Sequence, residues 1–356
     1  MRILLLGGTS FIGRTIADEA LRSGADVTLF NRGRTNPGLF PAATRLTGDR
    51  DAGDYSALRH GGWDAVVDLS GFFPRQVTGA MDVLGDSVGR YLFISSHAVY
   101  ERAGLAPGSD ESTPRRAPLR EAEQLDEETY GRLKVACEDE VVARYGERAT
   151  IVGARQVWRA HGDHRGGNEG GRGGGRGGRG ARSGRPARGP APHDDQRGLT
   201  YWARRAARGG RIALPGRPEQ PVQLVDSRDL ARFVLRLVQD ERPGAFHAVG
   251  PAEPVTLGGV IATCAAVAGT EVEVVPVPPE TAPPPFFPLV REEGLWPGQQ
   301  RDASRARAAG LPTTPLAVTA ADVLTWDRDR GAPPLGHGFT AEDEARVLSA
   351  LDQDAR

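Results

Sequence analysis

Lysine is almost absent. Of the 45 Lys and Arg residues in this chain of 356, one, Lys134, is lysine and 44 are arginine. At an ordinary surface position arginine replaces lysine without harm, so a sole survivor marks a site where only an ammonium serves. Lysine is a compact point charge with three donors, whereas arginine is a wide planar fork. Cysteine is nearly as scarce. Cys137 and Cys264 have no ligand spacing, which points to a reducing compartment and away from a metal site. Charge of either sign is missing as an excess: the net is −1 with histidine neutral, so no global field recruits nucleic acid or an anionic membrane. No apolar run approaches the ~18 residues of a membrane span. The opening Met1–Gly8 reads as one apolar strand, too short and too Gly-bound for a signal peptide. The expectation is a cytoplasmic chain, long enough for one large domain and a smaller lobe.

What is present starts with a strand, Arg2–Leu6, apolar throughout and so buried on both faces. Gly7-Gly8-Thr9-Ser10-Phe11-Ile12-Gly13 follows, then helical spacing over Thr15–Ser23 and a second strand, Asp26–Phe30. This is a βαβ unit. Glycines at its strand-to-helix turn let the backbone approach a pyrophosphate, which sits at the helix N-terminus. Gly7, Thr9, Ser10, Phe11, Ile12 and Gly13 are the candidate cofactor-binding residues of that turn. An NAD-selective fold offers Asp or Glu after the second strand. Here stand Asn31-Arg32-Gly33-Arg34, and Arg32 suits a 2′-phosphate, so NADP is favoured over NAD.

Strands Ala43–Thr47, Ala65–Leu69, Tyr91–Ile94 and Ala149–Val152 continue the alternation. The first ends at Gly48-Asp49-Arg50, where Asp49 meets an adenine edge. The second ends at Leu69, Ser70 and Gly71, which line the cofactor. The third delivers Ser95-Ser96 to the strand ends where open α/β sheets bind ligands. The lone lysine lies in Tyr130-Gly131-Arg132-Leu133-Lys134. Residues four apart on a helix share a face, so the ammonium can draw the tyrosine pKa down towards working pH. A bare YxxxK is also what a solvated polar helix face offers; the solitude of the lysine singles this one out.

Taken together, Gly7–Gly13, Ser96-His97-Ala98-Val99-Tyr100 and Tyr130–Lys134 resemble, in kind and order, the short-chain dehydrogenase/reductases. The length resembles their extended, epimerase/dehydratase-like branch. The resemblance covers residues 1 to about 155 and resumes near 199. It implies a Rossmann-type doubly wound parallel sheet with a smaller C-terminal substrate lobe. It implies Tyr130 as acid/base, Ser96 orienting the substrate oxygen, and Lys134 lowering the tyrosine pKa and holding the nicotinamide ribose. It also implies a homodimer built on helices beginning near Arg75 and Tyr130.

Two departures stand out. The extended pattern has glycine where this chain has Ser10. The turn looks like an atypical Gly-Gly-Thr-x-Phe subgroup of reductase-like proteins and chloroplast relatives that bind stem-loop RNA. Second, after Val152 relatives carry an Arg-Pro-Gly-like turn lining the nicotinamide. This chain reads Gly153-Ala154-Arg155-Gln156-Val157-Trp158 and then a tract, residues 165–190, with 12 Gly and 7 Arg among 26. Such a composition does not bury enough surface to offset its ordering entropy. Three readings stand: a flexible loop over the active-site mouth, an RGG-like nucleic-acid tether, or an out-of-frame stretch between compensating frame changes near Gly153 and Pro192-His193-Asp194. The division expected is 1–155 for the Rossmann domain, 156–198 for the insertion, and 199–356 for remaining Rossmann elements and the lobe.

Beyond the tract, Leu199–Arg208 reads as a helix. Gln223-Leu224-Val225-Asp226-Ser227-Arg228-Asp229-Leu230 resembles the extended family's strand that returns to the sheet and leads, capped by an Asp or Ser, into the helix Leu230–Val238. Cys264 falls in the apolar helix Leu257–Val267, a core position. His161 and His164 lack acidic or cysteine partners, so no metal is expected. The function expected is an NAD(P)-dependent oxidoreductase or epimerase/dehydratase working on a hydroxyl or carbonyl of a small or sugar-like substrate. The alternative is an atypical Rossmann protein that binds RNA or a nucleotide without turnover, and a third is a damaged gene product.

Overall fold

A computed structural model describes residues 1–101, 104–122, 124–154, 157–158, 198–283 and 287–354. Arg155, Gln156, His161, His164, the Gly/Arg-rich tract and Pro192–Asp194 lie outside the described residues, and the three readings of the tract with them.

The chain begins with β1 (Arg2–Leu6), α1 (Phe11–Arg22), β2 (Asp26–Asn31), β3 (Thr44–Thr47), β4 (Trp63–Asp68), α2 (Pro74–Leu84) and β5 (Val88–Ser96). There follow α3 (Glu127–Tyr145), β6 (Ala149–Ala154), β7 (Val157–Trp158), α4 (Gly198–Ala206), β8 (Gly210–Leu214), β9 (Pro221–Val222) and β10 (Val225–Asp226). The chain continues through α5 (Ser227–Gln239), β11 (Gly244–Ala248), β12 (Val255–Thr256), α6 (Leu257–Ala268) and β13 (Val272–Pro276). It closes with α7 (Ser304–Ala308), α8 (Leu316–Asp329) and α9 (Ala341–Asp354).

Seven strands form one sheet in the order β3-β2-β1-β4-β5-β6-β11. Every pairing in it is parallel. Parallel strands need crossovers, and these put helices on both faces, which is why Ile3–Leu6 is wholly buried. One face packs Ile3, Leu5 and Leu92 under α1 and α5, with Ile16, Phe233 and Val234. The other packs Leu4, Val66 and Phe93 under α2 and α3, with Val77, Met81 and Val141. A separate core joins α4, α6 and α8 to the β8–β13 pair around Trp202, Ile261 and Val323. The architecture is the doubly wound Rossmann type with a second, C-terminal lobe. The strand order reverses at β1, between β2 and β4, and an open α/β sheet has its crevice there.

Element types match the periodicity, and boundaries shift for local reasons. Helix α1 begins at Phe11, ahead of the Thr15 expected, because extended Ser10 occupies the N-cap. One expectation is corrected. The strand at Val225 does not return to the main sheet; it pairs with β7, and β11 makes the return beside β6. Two apolar residues define too short a run to choose a partner, whereas Phe246, His247 and Ala248 supply a buried stretch. Asp226 caps α5 by accepting from the Arg228 amide at 2.8 Å and pairs the Arg228 guanidinium at 2.6 Å. Cys264 is buried in the second core, as its helix face implied.

Under the sheet, Asp68 at the end of β4 is wholly buried and meets Arg50 in a two-pronged pair of 2.6 and 2.8 Å. The Tyr91 hydroxyl donates to the same carboxylate at 2.7 Å, and the Ser70 amide at 3.1 Å. Burial pushes the Asp68 carboxyl up, but Arg50 and these donors outweigh it and hold the carboxyl below its ordinary range. Removing one partner strands the other charge. Asp68→Asn is expected to lose about 3–5 kcal/mol of stability, read as a lower urea midpoint; an unchanged midpoint would show the pair to be dispensable.

Candidate active site

The crevice is built from the turn after β1. Gly7 and Gly8 take φ of 123° and 92°, where a side chain is strained. Gly13, one turn into α1, packs back on that turn so closely that a Cβ would lie 2.9 Å from the Gly8 nitrogen. Two side chains tie the turn from below and beside. Asn31 donates to the Gly7 carbonyl at 3.1 Å and Asn36 to the Thr9 carbonyl at 2.9 Å. Ser10 is exposed at the N-cap, its hydroxyl caps nothing, and the first turn of α1 carries no acid. Helix amides and the positive end of the dipole are therefore open to an anion.

The other proposed cofactor residues surround this turn. Ser70 donates its hydroxyl to the Leu6 carbonyl at 2.9 Å, and the Leu69 amide bonds the same oxygen at 3.2 Å. Leu69 thereby closes over Gly7, whose added Cβ would stand 3.4 Å from the Leu69 Cβ. Arg32 lies 3.7 Å from Asp51. Asp49 accepts from the Asp51 amide at 3.1 Å, which shapes the loop after β3.

Ser96 and Tyr130 meet at the ends of β5 and α3. Ser96 is the last residue of its strand and accepts from the Ala98 amide at 3.2 Å, capping the short turn His97–Val99. Helix α3 starts sharply because Asp126 accepts from the amides of Glu128 and Thr129 at 3.0 and 2.8 Å. Gly131 then lets the helix touch that turn: a Cβ there would run into the Ala98 carbonyl. This close approach brings Tyr130 near Ser96, whose hydroxyl influences the phenol. The Tyr130 ring also leans on Phe72, with centroids 6.5 Å apart.

Lys134 is one helical turn on and 3% exposed. Its Nζ donates to the Gly71 carbonyl at 3.0 Å and the Ile94 carbonyl at 2.7 Å, and stands 3.8 Å over the Phe93 ring. Burial brings the ammonium down to about 8. Tyr130 moves the other way from the expectation. Burial pushes its hydroxyl up, and the neighbouring Ser96 hydroxyl, not the lysine, works against that rise. The reason is geometric: Nζ points at two backbone carbonyls instead of at the phenol.

The structure adds residues that sequence reasoning missed. Tyr100 donates to His247 Nε2 at 2.9 Å, while His247 Nδ1 meets the Asp302 carbonyl at 3.1 Å and the His247 amide donates to Glu111 at 2.7 Å. Burial lowers the imidazole pKa, which suits a neutral ring donating through Nδ1 and accepting from the phenol. Glu138 accepts from Ser95 and from Arg115, the latter at 2.8 Å. A cavity of about 180 Å³ lies among Ser96, Tyr100, Glu111, Arg115, Glu138 and His247. Ser95, Ser96 and Tyr100 sat in quoted stretches; Glu111 with Arg115, Glu138 and His247 come from three other segments and form no motif.

No family model matches the chain. Among curated proteins, the chloroplast stem-loop binding protein of 41 kDa b of Arabidopsis thaliana is 29% identical over 130 residues. That match spans 31% of this chain and only 33% of the relative's length. Solved structures match nearly end to end. A UDP-glucose 4-epimerase has a TM-score of 0.65 at 14% identity, covering 94% of this chain and 99% of its own. The UDP-N-acetylglucosamine 4-epimerase of Bacillus cereus has 0.63 at 15%, covering 92% and 99%. The UDP-glucose 4-epimerase of Bifidobacterium longum, in complex with NAD+ and UDP, has 0.61 at 18%, covering 93% and 99%. The resemblance to extended short-chain dehydrogenase/reductases carried by Gly7–Gly13, Ser96–Tyr100 and Tyr130–Lys134 is thus matched by the fold of the described residues, which is that of these 4-epimerases.

Proposed function

We propose that this protein is a nicotinamide-dependent oxidoreductase or epimerase/dehydratase, preferring NADP, that acts at a hydroxyl or carbonyl carbon of a small or sugar-like substrate. The observation that carries the reading is buried Lys134, whose Nζ bonds the Gly71 and Ile94 carbonyls one helical turn from Tyr130, with Ser96 at the end of β5 next to a glycine turn. The turn fits a dinucleotide: Gly13 packs where no side chain has room, and the α1 amides face outward without an acid among them. The complex of a similar fold with NAD+ and UDP supports the cofactor class.

The roles follow from the residues. The Gly7–Gly13 turn holds the pyrophosphate, Asp49 the adenine edge, and Arg32 a 2′-phosphate once it leaves Asp51. Leu69, Ser70 and Gly71 form the wall against the nicotinamide half. The cofactor, when bound, supplies the hydride acceptor or donor. Ser96 orients the substrate oxygen, and Tyr130 takes or returns its proton. Lys134 holds the ends of β4 and β5 against α3, keeps Tyr130 in register with Ser96, and would hold the nicotinamide ribose.

Titration of the purified protein with NADPH and NADH, followed by nicotinamide fluorescence, is expected to show both binding and NADPH binding more tightly. Gly13→Val should abolish both. A second reading, an atypical Rossmann protein that binds RNA without turnover, draws on the name of the curated relative. Absent binding of both cofactors, together with RNA binding that weakens steeply with salt, would select it.

The seat of Nζ is made for one nitrogen among two carbonyls and a ring face. Lys134→Arg keeps the charge and is expected to lose most of the activity, on the order of the 10²–10⁴ that positioned proton transfer contributes; normal turnover by this variant would refute the role.

The lysine also leaves a pH signature. Between about 8, where it titrates in the fold, and its ordinary 10.5, the unfolded chain carries a proton that the folded chain has released. Stability from this site therefore rises with pH across that window. The difference in melting temperature between the native protein and Lys134→Met should grow from pH 8 to pH 10; a flat difference would mean that the ammonium is not desolvated.

A further inference from the structure

A buried guanidinium at the junction of the two lobes has no counter-charge among the described residues. Arg301 is 4% exposed, and its Nε and Nη1 reach no hydrogen-bond partner. Two residues earlier, Gln299 is 1% exposed with both amide atoms, Nε2 and Oε1, equally without partners. Native interiors satisfy such groups almost without exception, and an unpaired buried charge is among the costliest to leave. The neighbouring acids are committed elsewhere. Asp302 accepts from the amide and hydroxyl of Ser304, and Glu111 takes the His247 amide. Burial lowers the Arg301 pKa, opposed only by the Tyr100 hydroxyl, with no carboxylate contributing.

The segment is pinned so that it does not relax away from this arrangement. The Arg301 amide donates to Gln223 at 2.9 Å and its carbonyl accepts from the Gln223 side chain at 2.7 Å. On the flanking residues, Gly108 donates to the Gln300 carbonyl at 2.6 Å and the Asp302 amide to Ser109 at 3.0 Å. The guanidinium lies 4.2 Å over the Tyr100 ring. Tyr100 directly follows the turn His97–Val99 that Ser96 caps, so Arg301 is one side chain from the strand end that carries the reacting groups.

We propose that Arg301 and Gln299 form a receptor for one oxyanionic group, a carboxylate or phosphoryl oxygen of the substrate, beside the Ser96–Tyr130 centre. A guanidinium with free N–H donors is the group that pairs such an oxyanion with charge-assisted bonds, and the Gln299 amide adds a neutral donor and an acceptor for a neighbouring hydroxyl. The proposal deepens the reading above, on which the word substrate rests, and makes that substrate anionic.

The test uses the full chain and needs neither cofactor nor turnover. Melting temperature is followed against inorganic phosphate and, separately, malonate, with ionic strength held constant by sodium chloride. The native protein is expected to melt higher with at least one of the two, and the one that acts tells phosphoryl from carboxylate. Arg301→Met should weaken the effective anion by about 10–100-fold, the range of a charge-assisted hydrogen bond. In chloride alone the same variant should melt higher than the native protein, because it deletes a buried charge that nothing balances. Gln299→Leu, which keeps the charge, should weaken the anion effect and serves if Arg301→Met does not fold. The proposal is overturned if neither anion raises the native melting temperature, or if Arg301→Met melts lower in chloride, as a purely structural arginine would. It is also overturned if Arg301→Met loses NADPH affinity, which would assign the residue to the cofactor crevice. A native protein that binds neither nucleotide yet responds to the anion would refute the oxidoreductase reading and leave the receptor standing.

Discussion

The ammonium of Lys134 is the point on which the rest of the site depends. It draws together three pieces of chain that share no local sequence: the loop after β4 through Gly71, the end of β5 through Ile94, and α3, which carries it. A parallel sheet leaves its C-terminal ends as loose loops, and an open crevice there needs something to hold their relative positions. A single charged nitrogen in a dry seat does so strongly, because the low dielectric that makes its burial costly also strengthens each carbonyl bond. Nζ titrating near 8 in place of 10.5 reflects that cost. The seat accounts for the lysine having no arginine substitute here when every other basic position in the chain has one.

Elsewhere the arginines hold the molecule by their forks. Arg50 grips Asp68 beneath the cofactor crevice, and Ser70, which shares that network, is the residue that ties the β4 loop to Leu6. In the second lobe Arg204 pairs with Asp327 by two bonds of 2.7 Å, and buried Arg205 reaches Glu344 at 2.5 Å. Asp226 accepts from both Arg228 and Thr319, tying α5 to α8. Planar guanidinium–carboxylate pairs tolerate burial when both forks are filled. Arg301 breaks that pattern: Arg50, Arg204, Arg205 and Arg228 each hold a carboxylate, whereas Arg301 holds none among the described residues and leaves two nitrogens, Nε and Nη1, without partners.

Much of the first domain is legible from residues alone. The apolar run Ile3–Leu6, the glycines after it and the spacing of Ile16, Ala17 and Ala20 define the βαβ unit, because a twice-buried strand and a one-sided helix demand different periodicities. The same logic carries through Val66–Asp68 and Phe93–Ser96. Tyr130 and Lys134 share a helix face and Ser96 ends a strand by local geometry, while their grouping as one set is what the family resemblance implies. The two-residue strand Val225–Asp226 is the contrary case. Its partner, β7, is chosen by the surrounding lobe, and a run so short carries no register of its own.

The sequence by itself determined the alternation of strands and helices in the first domain, the glycine turn after β1, and the placing of the lone lysine one helical turn from Tyr130. Those follow from covalent spacing and burial preference, which act within a few residues. Tertiary structure alone decided that Nζ faces carbonyls and not the phenol, that Gly131 brings Tyr130 to Ser96, and that His247 closes on Tyr100. It alone left Gln299 and Arg301 buried without partners. Each of these depends on which atoms from distant segments share a dry interior, and that is set by packing across the fold, not by neighbours along the chain.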